Sequence, residues 1–104
     1  MNEQYITIIQ GFIAYWGLNR KTATLIATAI LSVARHRDKD DRIKTNGILM
    51  AYNAANLIDE NTMHEGYALL DKIVQTKAEC EAIDAIYKYF DECDLGRETV
   101  CGED

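Results

Sequence analysis

The chain has 104 residues and a formal net charge of −6 at pH 7, and 48% of its residues are hydrophobic. This length predicts one domain with its own core, and the apolar fraction excludes a disordered chain. The absence of proline and the presence of only six glycines favour a helical protein over a turn-rich β-sandwich.

The first two helices are predicted from a stripe of apolar side chains and from the residues that separate them. Gly17 predicts the end of the first helix, and Asn19 is a suitable N-cap for the second. The second helix is apolar or small on nearly all sides between residues 23 and 34, so we expect neighbours on more than one of its faces. The stripe of the first helix has the helical period: Tyr5, Ile9, Phe12, Ile13 and Trp16.

The charged stretch RHRDKDDRIK, residues 35–44, is interpreted as the junction between the second and third helices. Arg35, His36 and Arg37 fall in the last turn of the second helix. Asp38 is a suitable N-cap, and Asp40 and Asp41 fall in the first turn of the third helix. Cations at a helix C-terminus and carboxylates at an N-terminus each stabilise the helix by about 0.3–1 kcal/mol. The order of charges therefore fits a tight turn between two helices.

The same stretch leaves a DNA-associated regulator open as the alternative function. Three carboxylates lie among its cations and would repel phosphates, and the following GILMAYNAANLI has neither Lys nor Arg for base contacts. Nucleic acid is therefore the less favoured partner. The cations that would contact phosphates in this alternative are Arg35, Arg37, Lys39, Arg42 and Lys44.

The third helix contains Asn46-Gly47, a dipeptide that is also typical of a β-hairpin turn. The residues that follow it are rich in alanine and have the helical period, which favours a helix. We expect Gly47 to be a kink or a restart of this helix. Its predicted inner face is Ile48, Ala51, Tyr52, Ala55 and Ile58.

The last two helices are predicted to begin with capping boxes, at Thr62 to Glu65 and at Thr76 to Glu79. Gly96 is the predicted end of the fifth helix. Residues 1–96 are thus expected to form a single helical domain, and 97–104 a polar, frayed tail. Short connections predict an all-α, up-and-down bundle of about five helices. The predicted inward residues are Met63, Gly66, Tyr67, Leu70, Ile73 and Val74 on the fourth helix, and Ile83, Ile86, Tyr87, Phe90 and Cys93 on the fifth.

Charge is distributed unevenly between the two halves of the chain. Residues 1–52 hold seven cations and four carboxylates, a balance of +3, whereas residues 53–104 hold four and thirteen, a balance of −9. We predict that the fifth helix presents an acidic face to a protein partner, with Tyr89 beside it as an aromatic anchor. The predicted residues of this acidic face are Glu81, Asp84, Lys88, Asp91 and Glu92.

Nothing in the sequence forms a recognisable catalytic or metal-binding motif. His36 lies in the charged junction and His64 lies beside Glu65, and both are predicted to be at the surface. The three cysteines are odd in number and widely spaced, which predicts free thiols. The sequence therefore predicts a protein that is not an enzyme and needs no cofactor or metal.

The predicted function is that of a small acidic protein-binding module. It would act as an adaptor, an inhibitor or an immunity-type protein by occluding the surface of a partner, and the acidic charge favours a basic one. The N-terminus has no signal-peptide pattern, and we find no apolar run of the length a bilayer requires, so we expect a cytoplasmic protein without a membrane partner. Homo-oligomerisation is left open.

Overall fold

The structure is a computed structural model that describes the backbone of residues 3–102 and the side chains of residues 3–94. Within these residues the chain forms five helices and no strand, which confirms the predicted all-α bundle. Each helix contacts the next one along the chain. The helices are α1 (Glu3–Trp16), α2 (Arg20–His36), α3 (Lys39–Ala54), α4 (Glu60–Val74) and α5 (Glu79–Gly102).

Helix α2 lies at the centre of the bundle and contacts all four other helices. This confirms the expectation drawn from its nearly all-round apolar surface. A helix that is apolar on most sides is stable in water only when neighbours cover those sides. Its buried residues are Thr22, Ala23, Ile26, Ala27, Ile30, Leu31, Val33 and Ala34.

Three helix ends follow the local signals in the sequence. Gly17 has the left-handed backbone conformation (φ 66°) that ends α1. The side chain of Asn19 accepts a hydrogen bond from the amide of Thr22 at 2.8 Å, and the side chain of Asp38 accepts one from the amide of Asp40 at 3.0 Å. Both residues are therefore the predicted N-caps.

Helix α3 runs without interruption through Gly47, so the predicted kink or restart is not observed. The predicted inner face of this helix is also wrong in part. Its buried residues are Thr45 and Leu49, whereas Ala51 is exposed. The helix ends at Ala54, and Asn56 adopts a left-handed conformation (φ 63°). Ala55 and Ile58 therefore lie outside the helix, although Ile58 is buried from the loop.

The two predicted capping boxes are wrong. Helix α4 begins at Glu60, and its N-cap is Asp59, whose side chain accepts a hydrogen bond from the amide of Thr62 at 2.7 Å. An aspartate is at least as good an N-cap as a threonine, and here it starts the helix three residues earlier. At the other predicted box, the hydroxyl of Thr76 donates to the carbonyl of Ile73, which belongs to the preceding helix.

The predicted end of the fifth helix at Gly96 is also wrong, because α5 continues to Gly102. A single glycine inside a helix costs about 1 kcal/mol but does not end the helix unless the chain turns there. Whether residues 97–104 fray is not tested, since their side chains and residues 103–104 lie outside the described part of the chain.

Two glycines allow neighbouring helices to approach closely. A Cβ atom on Gly11 of α1 would overlap the ring of Phe90 of α5. A Cβ atom on Gly66 of α4 would lie 2.8 Å from a methyl group of Leu49 of α3. Phe90 packs edge-on against Phe12, with ring centroids 5.3 Å apart. The contacts of Phe90 with Gly11 and Phe12 hold one side of α5 against α1, and the opposite side of α5 faces solvent.

Candidate functional site

The solvent-facing side of α5 carries three charged residues in register: Asp84, Lys88 and Asp91, at i, i+4 and i+7. All three side chains are exposed. Among the described residues, neither Asp84 nor Asp91 lies within ion-pair distance of a cation. These two carboxylates are therefore available to an external partner.

The two glutamates of the predicted acidic face make contacts within the protein. The carboxylate of Glu81 accepts a hydrogen bond from the amide of Lys77 at 3.0 Å. The carboxylate of Glu92 lies 3.4 Å from the Nζ atom of Lys72, and both of these side chains are about half exposed. The exposed ion pair of Glu92 is weak, and the partner of Glu81 is an uncharged amide, so both glutamates still contribute negative charge to the surface.

Tyr89 does not flank the acidic face as an exposed anchor, and this part of the prediction is wrong. Its side chain is only 8% exposed. Its hydroxyl accepts a hydrogen bond from the indole of Trp16 at 2.8 Å and donates one to the carboxylate of Glu65 at 2.8 Å. Burial raises the pKa of Tyr89 well above its ordinary value, so the hydroxyl keeps its proton. Tyr89 thus joins α1, α4 and α5.

The described thiols lie on α5 and differ in exposure. Cys80 is exposed, whereas Cys93 is partly buried, and burial raises the pKa of its thiol. Both are free, as predicted for them. The side chain of Cys101 lies outside the described residues.

The junction of residues 35–44 is held by contacts within the protein. Arg35 lies 3.6 Å from Glu79, and Arg42 pairs with Asp71 of α4. The Nδ1 atom of His36 lies 2.8 Å from the carboxylate of Asp41, across the turn between α2 and α3. These contacts agree with the interpretation of the stretch as a junction between helices.

Arg37 has the most extensive contacts in this junction. Its backbone is left-handed (φ 57°), and its amide donates to the carbonyl of Val33 at 2.9 Å, which closes α2. Its guanidinium donates to the Thr76 hydroxyl at 2.9 Å and to the Thr76 carbonyl. It also donates to the carbonyls of Ile73 and Ala78, each at 3.4 Å. Arg37 therefore joins the end of α2 to the last turn of α4 and to the connection that follows it, a role that its position in the sequence does not indicate.

The residues of the nucleic-acid alternative are only partly brought together. Three of the five cations, Arg37, Lys39 and Arg42, line one cleft of about 220 Å³, together with Asp38. Arg35 and Lys44 are not among the residues that line it. The two arginines in the cleft already donate to carbonyls and to Asp71. Lys39 is the cation in the cleft that has neither an ion pair nor a side-chain hydrogen bond among the described residues.

A second surface, which the sequence reasoning missed, lies where the start of α2 faces the end of α3. We call it the α2–α3 groove. It has a volume of about 430 Å³ and is mostly apolar. Leu25 and Leu57 in its lining are 48% and 50% exposed. Residues 45–58 contain no charged residue, a signal that could have indicated an apolar surface here. The groove is lined by Asn19, Lys21, Thr22, Leu25, Tyr52 and Leu57.

The chain matches no protein-family model, no curated protein and no solved structure. None of the described helices is both long and apolar enough to cross a lipid bilayer. Two surfaces of the described residues are candidates for binding a partner: the acidic face of α5 and the α2–α3 groove.

Proposed function

We propose that the protein is a binding module that docks on another protein through the acidic face of α5 and occludes a basic surface of that partner. The observation that carries this proposal is the pair of exposed carboxylates, Asp84 and Asp91, which have no cation within ion-pair distance among the described residues. The excess of nine negative charges in residues 53–104 supports the same polarity of partner.

The acidic face would act mainly on the rate of association. Complementary charges steer two proteins into encounter and fix their orientation, while exposed ion pairs add little to affinity. Occlusion then requires only that the bundle lie across the partner's working surface. A basic working surface is typical of proteins that bind nucleic acid, so a module of this kind would compete with nucleic acid for its partner.

The first test compares how fast charge variants of α5 bind a partner of the parent protein. A partner recovered with the parent protein from native cells is purified, and its association rate is measured at low and at physiological salt. Asp84→Lys combined with Asp91→Lys should slow association, and the slowing should shrink as salt screens charges beyond about 8–10 Å. Lys88→Glu should speed association. Glu3→Lys, an exposed reversal on α1, is the control for net charge.

Two results would contradict the proposal. One is a partner that binds the doubly reversed α5 variant as fast as the parent. The other is tight, salt-dependent binding of duplex DNA by the parent that is lost when Lys39 and Lys44 are replaced by Gln. These lysines are exposed and have no ion-pair partner among the described residues, so replacing them tests phosphate binding without breaking the junction. The second result would favour the DNA-associated regulator.

A further inference from the structure

The α2–α3 groove is mostly apolar, has one cation, Lys21, and no carboxylate in its lining, and lies on different helices from the acidic face. We infer that this groove binds an acidic amphipathic helix of a partner protein, with the apolar side of that helix in the groove and a carboxylate beside Lys21. This inference does not depend on the function proposed for α5.

The apolar part of the groove comes from three side chains that converge from different segments. Leu25 projects from α2, Tyr52 from the last turn of α3, and Leu57 from the loop that follows. Leu25 and Leu57 are each about half exposed, and Tyr52 is partly buried. Exposed apolar side chains that are scattered singly are normal, but a cluster in a concave site is typical of an interaction surface.

The shape of the groove fits a helix. The hydroxyl of Thr45 donates to the carbonyl of Ala29 at 3.3 Å, while Tyr52 lies further along α3 beside Thr22 and Leu25. Residue numbers therefore rise along α3 as they fall along α2, so the two helices are antiparallel. Side-by-side helices leave a groove along their axes that a third helix can fill.

Charge selects an acidic occupant. Lys21 lies at the edge of the groove, is exposed, and has no carboxylate within ion-pair distance among the described residues. The first turn of α2 contains no acidic residue, although the positive end of a helix dipole favours one there. Asp59, two residues after Leu57, is engaged as the N-cap of α4. A carboxylate from a partner would therefore supply the charge that this end of α2 lacks.

Two large apolar residues that are exposed on α3, away from the groove, provide control positions for the Leu25 variant. Ile43 and Met50 are 57% and 59% exposed, and neither is among the residues that line the groove. A Met50→Glu variant thus makes the same kind of change as Leu25→Glu, at a similarly exposed position on a different surface.

The inference is tested by selecting a displayed library of random 16-residue peptides against the full-length protein. The parent should enrich peptides that carry apolar residues at i, i+3 or i+4, and i+7, together with Asp or Glu. The best of these is synthesised, and its affinity is measured by fluorescence anisotropy. Leu25→Glu should weaken binding about tenfold or more, as expected for a central contact. Met50→Glu should leave it unchanged, and Lys21→Glu should weaken acidic peptides selectively.

Two outcomes would overturn the inference: no enrichment of apolar, acidic peptides, or equal affinity of the parent and Leu25→Glu for the selected peptide. Self-association of the parent that is lost in Leu25→Glu would also overturn it, because a second copy would then cover the groove. Thermal unfolding of each variant checks that it is folded. The Asp84→Lys, Asp91→Lys variant should keep peptide binding, which separates this test from that of the acidic face.

Discussion

The junction between α2 and α3 differs from the junction between α4 and α5 in where the hydrogen-bond partners of the backbone come from. The first uses two residues, 37 and 38, and the second uses four, 75–78. In the first, Arg37 closes α2 through its own backbone, and Asp38 caps α3 through its own side chain. In the second, the carbonyl of Ile73 in α4 and the carbonyls of Thr76 and Ala78 in the connection receive donors from Arg37, a residue 36 or more positions earlier in the chain.

The difference shows which helix ends can be read from a sequence. A helix end leaves several backbone groups without partners inside the helix. When the nearest residues satisfy those groups, the residue types reveal the cap. When a distant side chain satisfies them, the local sequence carries no such signal. Thr76 is an example. Its hydroxyl donates to the carbonyl of Ile73 and accepts from Arg37, so it does not cap α5 as the capping-box pattern predicts.

The largest effect is expected from Arg37→Ala. Hydrogen bonds from a charged donor contribute about 1.5–3 kcal/mol, so we expect the free energy of unfolding to fall by about 2–3 kcal/mol in chemical denaturation. Native-state hydrogen exchange should rise most at the end of α4 and the start of α5.

Two controls isolate the contribution of the Arg37 side chain. Arg35→Ala removes only an exposed ion pair and should cost about 0–1 kcal/mol. Arg37→Gly removes the same contacts but relieves a left-handed backbone, so it should be about 1 kcal/mol less destabilising than Arg37→Ala. Equal losses in Arg37→Ala and Arg35→Ala would show that the two junctions are independent.

A smaller effect is expected from the local cap of α3. Asp38→Ala should lower the free energy of unfolding by about 1 kcal/mol, whereas Asp38→Asn should lower it little because asparagine is an equally good N-cap. Hydrogen exchange should rise only in the first turn of α3. A rise that spreads to α4 and α5 would mean that this cap also supports the distant junction.

Glu79→Ala should have less effect still. A capping box would make Glu79 important for the start of α5, at about 1 kcal/mol. In the structure its side chain is exposed and pairs only with Arg35, so thermal denaturation should show a change within about 0.5 kcal/mol. A loss of stability near that of Asp38→Ala would instead support the predicted capping box at Thr76 to Glu79.

The smallest expected effect is the acid dependence of stability that comes from Asp59, the local cap of α4. Hydrogen bonds from the amide and the side chain of Thr62 hold the pKa of Asp59 below its ordinary value of 3.8. Since the folded state has the lower pKa, the stabilisation is present above pH 3.8 and is lost as the pH falls through the folded pKa. Carbon-detected NMR titration should show a midpoint below 3.8, and a midpoint above 3.8 would contradict the cap. Asp59→Asn should abolish this acid dependence.

The same distinction applies to the faces of the helices. A face set by the apolar spacing of one helix can be predicted from the sequence, whereas a surface formed by several helices cannot. The period of apolar residues correctly placed Phe12, Leu70, Ile83 and Ile86 in the core. It did not place Tyr89, because α5 packs against both α1 and α4 and so buries a wider arc than one stripe predicts. The α2–α3 groove was missed for a related reason. A groove belongs to two helices and a loop, and no single helical period describes it.

The sequence by itself determined the all-α class, the number of helices, the central position of α2 and the caps at Asn19 and Asp38. These features depend on backbone hydrogen bonds and apolar spacing within a few residues, which the chain specifies locally. Only the tertiary structure decided that Arg37 binds the connection between α4 and α5, that Tyr89 is buried between Trp16 and Glu65, and that Leu25 and Leu57 line one groove. Each of these joins residues far apart in the chain, and their contact depends on how the helices pack.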